Sequence, residues 1–139
     1  MQEGLRRRAA ELGLPFNAPE ILANTRKAHI LAEYARDRGR LDELHRELFR
    51  ANFVAGRNLG DHAVLSETAT RAGLDPEEAM AALERPEYLE RVARTFRRSR
   101  QIGISGVPTF IVAGKYMIVG AHPFAALRDA FRQIVQEKG

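Results

Sequence analysis

The chain has 139 residues, 45% hydrophobic and 29% charged, with no cysteine and a formal net charge of +4. That length suits one domain, and the composition is that of a globular protein, not a disordered one. The lack of cysteine excludes disulfides, thiolate metal sites and a cysteine nucleophile within these residues.

No apolar run approaches the ~20 residues that span a bilayer. The opening MQEGLRRRAAELGL lacks the apolar core of a secretory signal. The expected location is therefore cytoplasmic, or that of a chain whose leader has been removed. The basic balance invites a nucleic-acid reading. However, 18 acidic residues are interspersed among the 22 basic ones, and no aromatic platform accompanies Arg6-Arg7-Arg8 or Arg97-Arg98. Solvated helix faces explain these runs better, so neither a nucleic-acid nor a membrane partner is expected.

Residues 2 to 12 read as a short helix, followed by the two-proline loop LGLPFNAPE. Asn24 or Thr25 can cap the next helix, whose stripe is Ala28, Leu31, Tyr34 and Ala35, ended by Gly39. A helix over about Leu41 to Val54 places Leu41, Leu44, Leu48 and Phe49 on one side. Asp61 caps a helix carrying Val64, Leu65, Thr68 and Ala69, closed by Gly73. Asp75-Pro76-Glu77-Glu78 is a helix start: capping aspartate, proline at the first position, carboxylates in the first turn. That helix ends near Glu84. Pro86 begins another, reaching about Ile102, with Leu89, Val92 and Phe96 inward.

Then the period changes. Thr109 to Ala113 and Tyr116 to Val119 read as strands around a tight turn at Gly114-Lys115. The run TFIV suggests a strand buried on both faces. After Gly120, an amphipathic helix carries Phe124, Leu127, Phe131 and Ile134 or Val135. The predicted organisation is an N-terminal helix and loop (1–23), a helical region (24–102) and a C-terminal β-β-α unit (103–139), forming one compact unit. The fold class is mainly α with a small β part. Two strands alone do not make a stable sheet, so something else must pair with the hairpin and cover it.

Proline before a strand holds the preceding residue extended. A cis X-Pro bond is tolerable there, at roughly 0.5–1 kcal/mol. A cis Val107-Pro108 bond would leave the backbone of Val107 to meet a ligand.

Gly106-Val107-Pro108-Thr109-Phe110, a hairpin, a glycine and a closing helix resemble the C-terminal half of a thioredoxin fold. Leu12-Gly-Leu-Pro-Phe16, Asn24-Thr-Arg-Lys-Ala28, Leu48-Phe49, Gly56-Arg-Asn-Leu-Gly-Asp61 and Ala72-Gly-Leu-Asp75 narrow the resemblance. Over roughly residues 12 to 136 the chain is similar to the DsbA-like family, and to its FrnE-type dithiol-disulfide oxidoreductases and isomerases. The resemblance implies a helical insert domain, here 24–102, within a thioredoxin fold. It also implies that Pro108 is the cis-proline and that Val107, with Gly106 and Thr109, holds an extended peptide or protein thiol substrate. The family places a Cys-x-x-C helix beside this loop, and this sequence has none. A thiolate is the attacking group in thiol-disulfide exchange, so no catalytic residue, cofactor or metal is expected here, and the chain should be inactive alone.

Two alternatives stay open. One is a cysteine-free peptide-binding or oligomerisation module that uses the same loop and closes its sheet with a second copy or a complementing N-terminal half. The other is a relative of the kappa-class glutathione transferases and 2-hydroxychromene-2-carboxylate isomerases. For that branch, Gly120-Ala121-His122-Pro123 lacks the acidic-serine pair associated with glutathione.

The four histidines, His29, His45, His62 and His122, show no i, i+4 pair and no H-E-x-x-H. His122, opening the last helix near the proline loop, is a possible secondary site residue, with capping as its simpler role. Gly103-x-x-Gly106 imitates a nucleic-acid-clamping KH loop, but the order of elements does not support that fold.

Overall fold

The computed structural model describes residues 2–20 and 22–137. Lys138 and Gly139, in the expected last helical segment, lie outside the described residues. Among the described residues seven α-helices and two strands follow in chain order: α1 (Gln2–Glu11), α2 (Arg26–Asp37), α3 (Leu41–Phe49), α4 (His62–Arg71), α5 (Pro76–Ala82), α6 (Pro86–Gln101), β1 (Thr109–Val112), β2 (Tyr116–Val119) and α7 (Phe124–Glu137). The mainly helical class with a small antiparallel sheet is as expected. By the density of its internal packing the chain divides into two compact units, Met1–Thr95 and Phe96–Gly139.

In the first unit α2 packs on α3 and α5, and α4 packs on the same two helices. The four helices close around one core. Leu31, Leu44, Leu65 and Leu83 are fully buried, with Ala35, Ala69, Ala79 and Ala82 letting the helices approach. The apolar stripes of α2 and α4 point into this core along their whole length. Asp61 accepts a hydrogen bond from Ala63 N at 2.9 Å and Asp75 from Glu78 N at 2.8 Å, so both aspartates cap as expected. Ahead of α2 it is Asn24 that accepts, from Arg26 N at 3.0 Å; Thr25 makes no side-chain cap bond.

Helix α3 runs into a π-helical turn, Arg50–Val54, where Ala55 N reaches back five residues to Arg50 O at 3.0 Å. Asn17 N donates to Phe53 O, and Phe16 stacks on Phe53 with ring centroids 6.1 Å apart. The loop after α1 is thereby held against the end of this turn. Gly56 stops the run at φ +62°, where an added Cβ would stand 3.0 Å from Asn17 O.

On the surface of this unit Asp37 receives a 2.7 Å hydrogen bond from Arg91, joining α2 to α6. That bond is the largest effect, and together with the guanidinium charge it outweighs the opposing effect of burial and holds the Asp37 carboxyl below its usual range. Arg57 and Arg71 do the same to Glu67 from two sides, with the Arg57 bond the larger cause. A carboxylate whose folded-state value is depressed stabilises above its unfolded value, and that contribution disappears as pH falls through the folded one. Asp37→Asn should therefore be less stable than the parent at pH 7. The gap should begin to narrow below about pH 4, the ordinary aspartate range, and close only below the depressed folded value. Urea midpoints at pH 7 and pH 3 check this; a gap as wide at pH 3 as at pH 7 contradicts the electrostatic origin.

In the second unit β1 and β2 pair antiparallel, Thr109 opposite Val119 and Val112 opposite Tyr116. The connection is three residues, Ala113 to Lys115, with Lys115 N donating to Val112 O. The strand thus ends one residue earlier than expected. Ala113 and Gly114 both take positive φ, +56° and +67°, which turns the chain in the sense a right-twisted hairpin requires. Left-handed backbone costs a non-glycine residue about 1–2 kcal/mol, more than the roughly 0.4–1 kcal/mol of unfolded-chain entropy that glycine adds. Ala113→Gly should accordingly stabilise the hairpin by up to about 1 kcal/mol, seen as slower amide exchange at Phe110 and Val112.

The expectation of a strand buried on both faces is corrected. Helix α7 lies against the face bearing Tyr116 and Ile118, and Tyr116 donates to Glu137 at 2.6 Å. Ile111, Met117 and Val119 on the other face are 43–49% exposed. The inward stripe of α7 is corrected too. Ile134 is buried, but Phe124 is 75% and Val135 69% exposed. Two strands present too little area to cover a helix of fourteen residues. Phe49 and Phe96, expected inward, are also more than half or half exposed, at 60% and 50%.

Candidate functional site

Gly103, at φ +80°, ends α6, and Ile104 N turns back to Ser99 O at 3.0 Å. The chain then crosses Ser105 to Pro108 as an exposed loop leading into Thr109, the first residue of β1. The Val107–Pro108 peptide bond is cis. Two hydrogen bonds fix the loop: Thr109 Oγ1 donates to Gly106 O at 2.6 Å, and Gly120 N donates to Pro108 O at 2.8 Å. The first closes Gly106 to Thr109 on itself; the second fastens it to the end of β2.

Hydrogen-bonded pairs alternate along an antiparallel ladder. Since Pro108 bonds Gly120, the next bonded pairs are Phe110 with Ile118 and Val112 with Tyr116. Thr109 and Ile111 therefore turn their N–H and C=O groups to the outer edge of β1. Among the described residues nothing bonds the backbone of Val107 either, and its side chain is 91% exposed. Val107, Thr109 and Ile111 form one open backbone edge. This is what an extended chain needs in order to add as a strand.

The structure brings Gly106, Val107, Pro108 and Thr109 together in this loop. It puts His122 at the same end of the ladder, two residues beyond the Gly120 that bonds Pro108; there Nε2 lies 2.8 Å from Val119 O and the ring stands beside Gly120. His122 ties the start of α7 to β2, so its observed contact is structural. Ile111 was missed as an edge residue in reading the sequence, because edge or centre depends on register and on neighbouring strands, which no single segment records.

The chemistry available here is limited. The chain has no cysteine, and among the described residues no group of three or more histidine, aspartate or glutamate side chains is arranged to hold a metal. No described helix is long and apolar enough to cross a membrane. The loop offers unpaired backbone donors and acceptors and a small exposed apolar group, which suits binding.

The profile of the DSBA-like thioredoxin domain matches residues 1–132. A comparison with curated protein sequences finds no match. Among solved structures, a protein assigned as a DsbA oxidoreductase, from Streptomyces coelicolor, superposes with a TM-score of 0.84 at 33% identity, covering 98% of this chain and 59% of that one. One assigned as a protein disulfide isomerase, from Nitrosomonas europaea, gives 0.74 at 22% identity over 99% of this chain and 72% of that one, a likeness of fold. The chain thus spans about three fifths of the Streptomyces protein.

Proposed function

The chain belongs to the DSBA-like thioredoxin domain family, and from that premise we propose that it is the substrate-holding part of a FrnE-type dithiol-disulfide oxidoreductase or isomerase. Extended polypeptide pairs with the open edge formed by Val107, Thr109 and Ile111, and the Cys-x-x-C pair is supplied by residues other than these 139. The observation that carries this reading is the unpaired Val107 backbone continuing into a free strand edge. With no thiol, the chain has nothing to attack a disulfide. Insulin reduction by the pure chain should therefore show no turnover, while calorimetry with an extended cysteine-containing peptide should show binding. Thr109→Val, which removes the bond to Gly106 O, should weaken that binding several-fold without changing helicity. Turnover by the pure chain, or binding indifferent to Thr109→Val, overturns the reading.

A second reading is favoured by one observation. The second unit exposes Ile111 and Met117 on the sheet and Phe124, Phe131 and Val135 on α7, more apolar surface than scattered side chains account for. In this reading the loop serves a binding or oligomerisation module, and a second copy covers the sheet. Light scattering at tens of micromolar separates the two, a dimer favouring the module.

A further inference from the structure

The first unit contains a cleft that the strand-edge reading does not use. It lies between α2 and α3 and has a volume of about 240 Å³. Its floor includes Leu48, which is buried. One wall is a run of rings: His45 tilted against Phe49 at 6.2 Å, then Phe49 stacked on Phe53 at 6.1 Å, with Phe16 beyond Phe53. Spacing of four residues places His45 and Phe49 on one face of α3. The wider i→i+5 turn that follows brings Asn52 and Phe53 together onto the cleft. Such turns occur often at functional sites. Phe49 and Phe53 remain 60% and 41% exposed, although each could have been a polar residue at no cost to the core.

We infer that this cleft is a binding site for one uncharged aromatic side chain of a polypeptide. Three observations select that occupant. First, size: a dry cavity of roughly 150 Å³ takes benzene, so about 240 Å³ suits a phenol or indole. It falls below the roughly 300–1,000 Å³ of sites that enclose a free small molecule. Second, charge: among the described residues, none lining the cleft carries a carboxylate, ammonium or guanidinium group, so a charged side chain gains no partner there. Third, chemistry: Phe49 and Phe53 offer ring faces, while His45 and Asn52 at the margin offer hydrogen bonds to a phenol oxygen, an indole N–H or a flanking peptide group. Aromatic anchors in such pockets carry much of the energy of protein recognition. The inference stands independently of the strand edge in the other unit.

The chain contains no tryptophan, so tryptophan emission comes from the added peptide and its shift reports binding. The experiment titrates the full chain into capped Gly-Trp-Gly, with capped Gly-Leu-Gly and free indole as competitors. The expected result is a saturable blue shift that Gly-Leu-Gly does not reverse and that free indole reverses only at far higher concentration. Phe49→Ala should weaken binding about three- to tenfold, the range of one lost aromatic pair. Phe49→Leu, which keeps bulk and fold but removes the ring, should weaken it too, whereas Phe124→Ala on α7 should not. No saturable shift, a shift insensitive to both Phe49 variants, or equal loss with Phe124→Ala overturns the site. Competition by Gly-Leu-Gly overturns the aromatic preference, and indole binding as tightly as the peptide overturns the polypeptide occupant.

Discussion

Tyr34→Ala is expected to destabilise the helical unit by about 3–5 kcal/mol, the range for losing a large buried ring. Tyr34→Phe is expected to cost only about 1 kcal/mol. Tyr34 is 1% exposed. Its ring meets Tyr88 edge-on, at 5.9 Å and 88°, and the Arg38 guanidinium lies over its face at 5.0 Å. Its hydroxyl donates to Glu78 Oε2 at 3.1 Å, and Arg38 binds the same oxygen at 3.1 Å. Burial, and after it the bond to Glu78, raises the phenol above its usual range, so the hydroxyl stays a donor at any ordinary pH. The two variants separate packing from the hydrogen bond. Alanine empties a site where α2 meets α5 and α6. Phenylalanine removes one donor from a carboxylate that is half exposed and still paired with Arg38, so no buried group is stranded. A domain is stable by only about 5–15 kcal/mol, so the alanine variant should lie near its unfolding transition at 37 °C. Urea unfolding followed by far-UV circular dichroism measures both. A phenylalanine variant as unstable as the alanine one would mean that the Glu78 bond, not the ring, holds these helices together.

The helical unit was legible because its signals are local. Ala28, Leu31, Tyr34 and Ala35 recur at helical spacing and are all buried. Asp61 and Asp75 announce two helix starts, and Gly39 and Gly73 adopt the positive φ that ends helices. The turn of the candidate site was legible from a proline set directly before a strand, and its substrate role from the resemblance; Gly106-Val107-Pro108-Thr109 is four residues with no periodicity to read. Three things were not visible. The π turn after Phe49 depends on hydrogen-bond choice along RANFV, where nothing in the residue types distinguishes it from α-helix. The exposure of Phe49, Phe124 and Val135 could not be read because an apolar stripe records a face that avoids water without recording what covers it. The open edge at Ile111 needs the register, and register is a property of two strands together.

That edge can be tested by placing proline at adjacent positions of β1. Phe110 N–H belongs to the ladder with Ile118, whereas Ile111 N–H points away from β2. Phe110→Pro removes a ladder bond and drives a ring into the paired edge. In a unit whose sheet has two strands that should abolish the hairpin, seen as loss of amide protection at Val112 and Tyr116. Ile111→Pro removes an outward donor, the position at which proline is accepted in edge strands, so the hairpin should persist with Val112 and Tyr116 still protected. Its effect should fall on what the edge does. An incoming strand needs the Ile111 donor, so binding of an extended peptide should drop at least tenfold, the loss expected when a main-chain bond at about 1.5 kcal/mol is replaced by an unpaired acceptor on the partner. The pair of variants therefore divides folding from binding by a shift of one residue. If Ile111→Pro unfolds the hairpin and Phe110→Pro does not, the register is displaced by one, and every side chain on β1 faces the opposite side. If both leave the hairpin intact and peptide binding unchanged, the edge is not where substrate adds, and the exposed face of Ile111, Met117 and Val119 becomes the surface that a partner must cover.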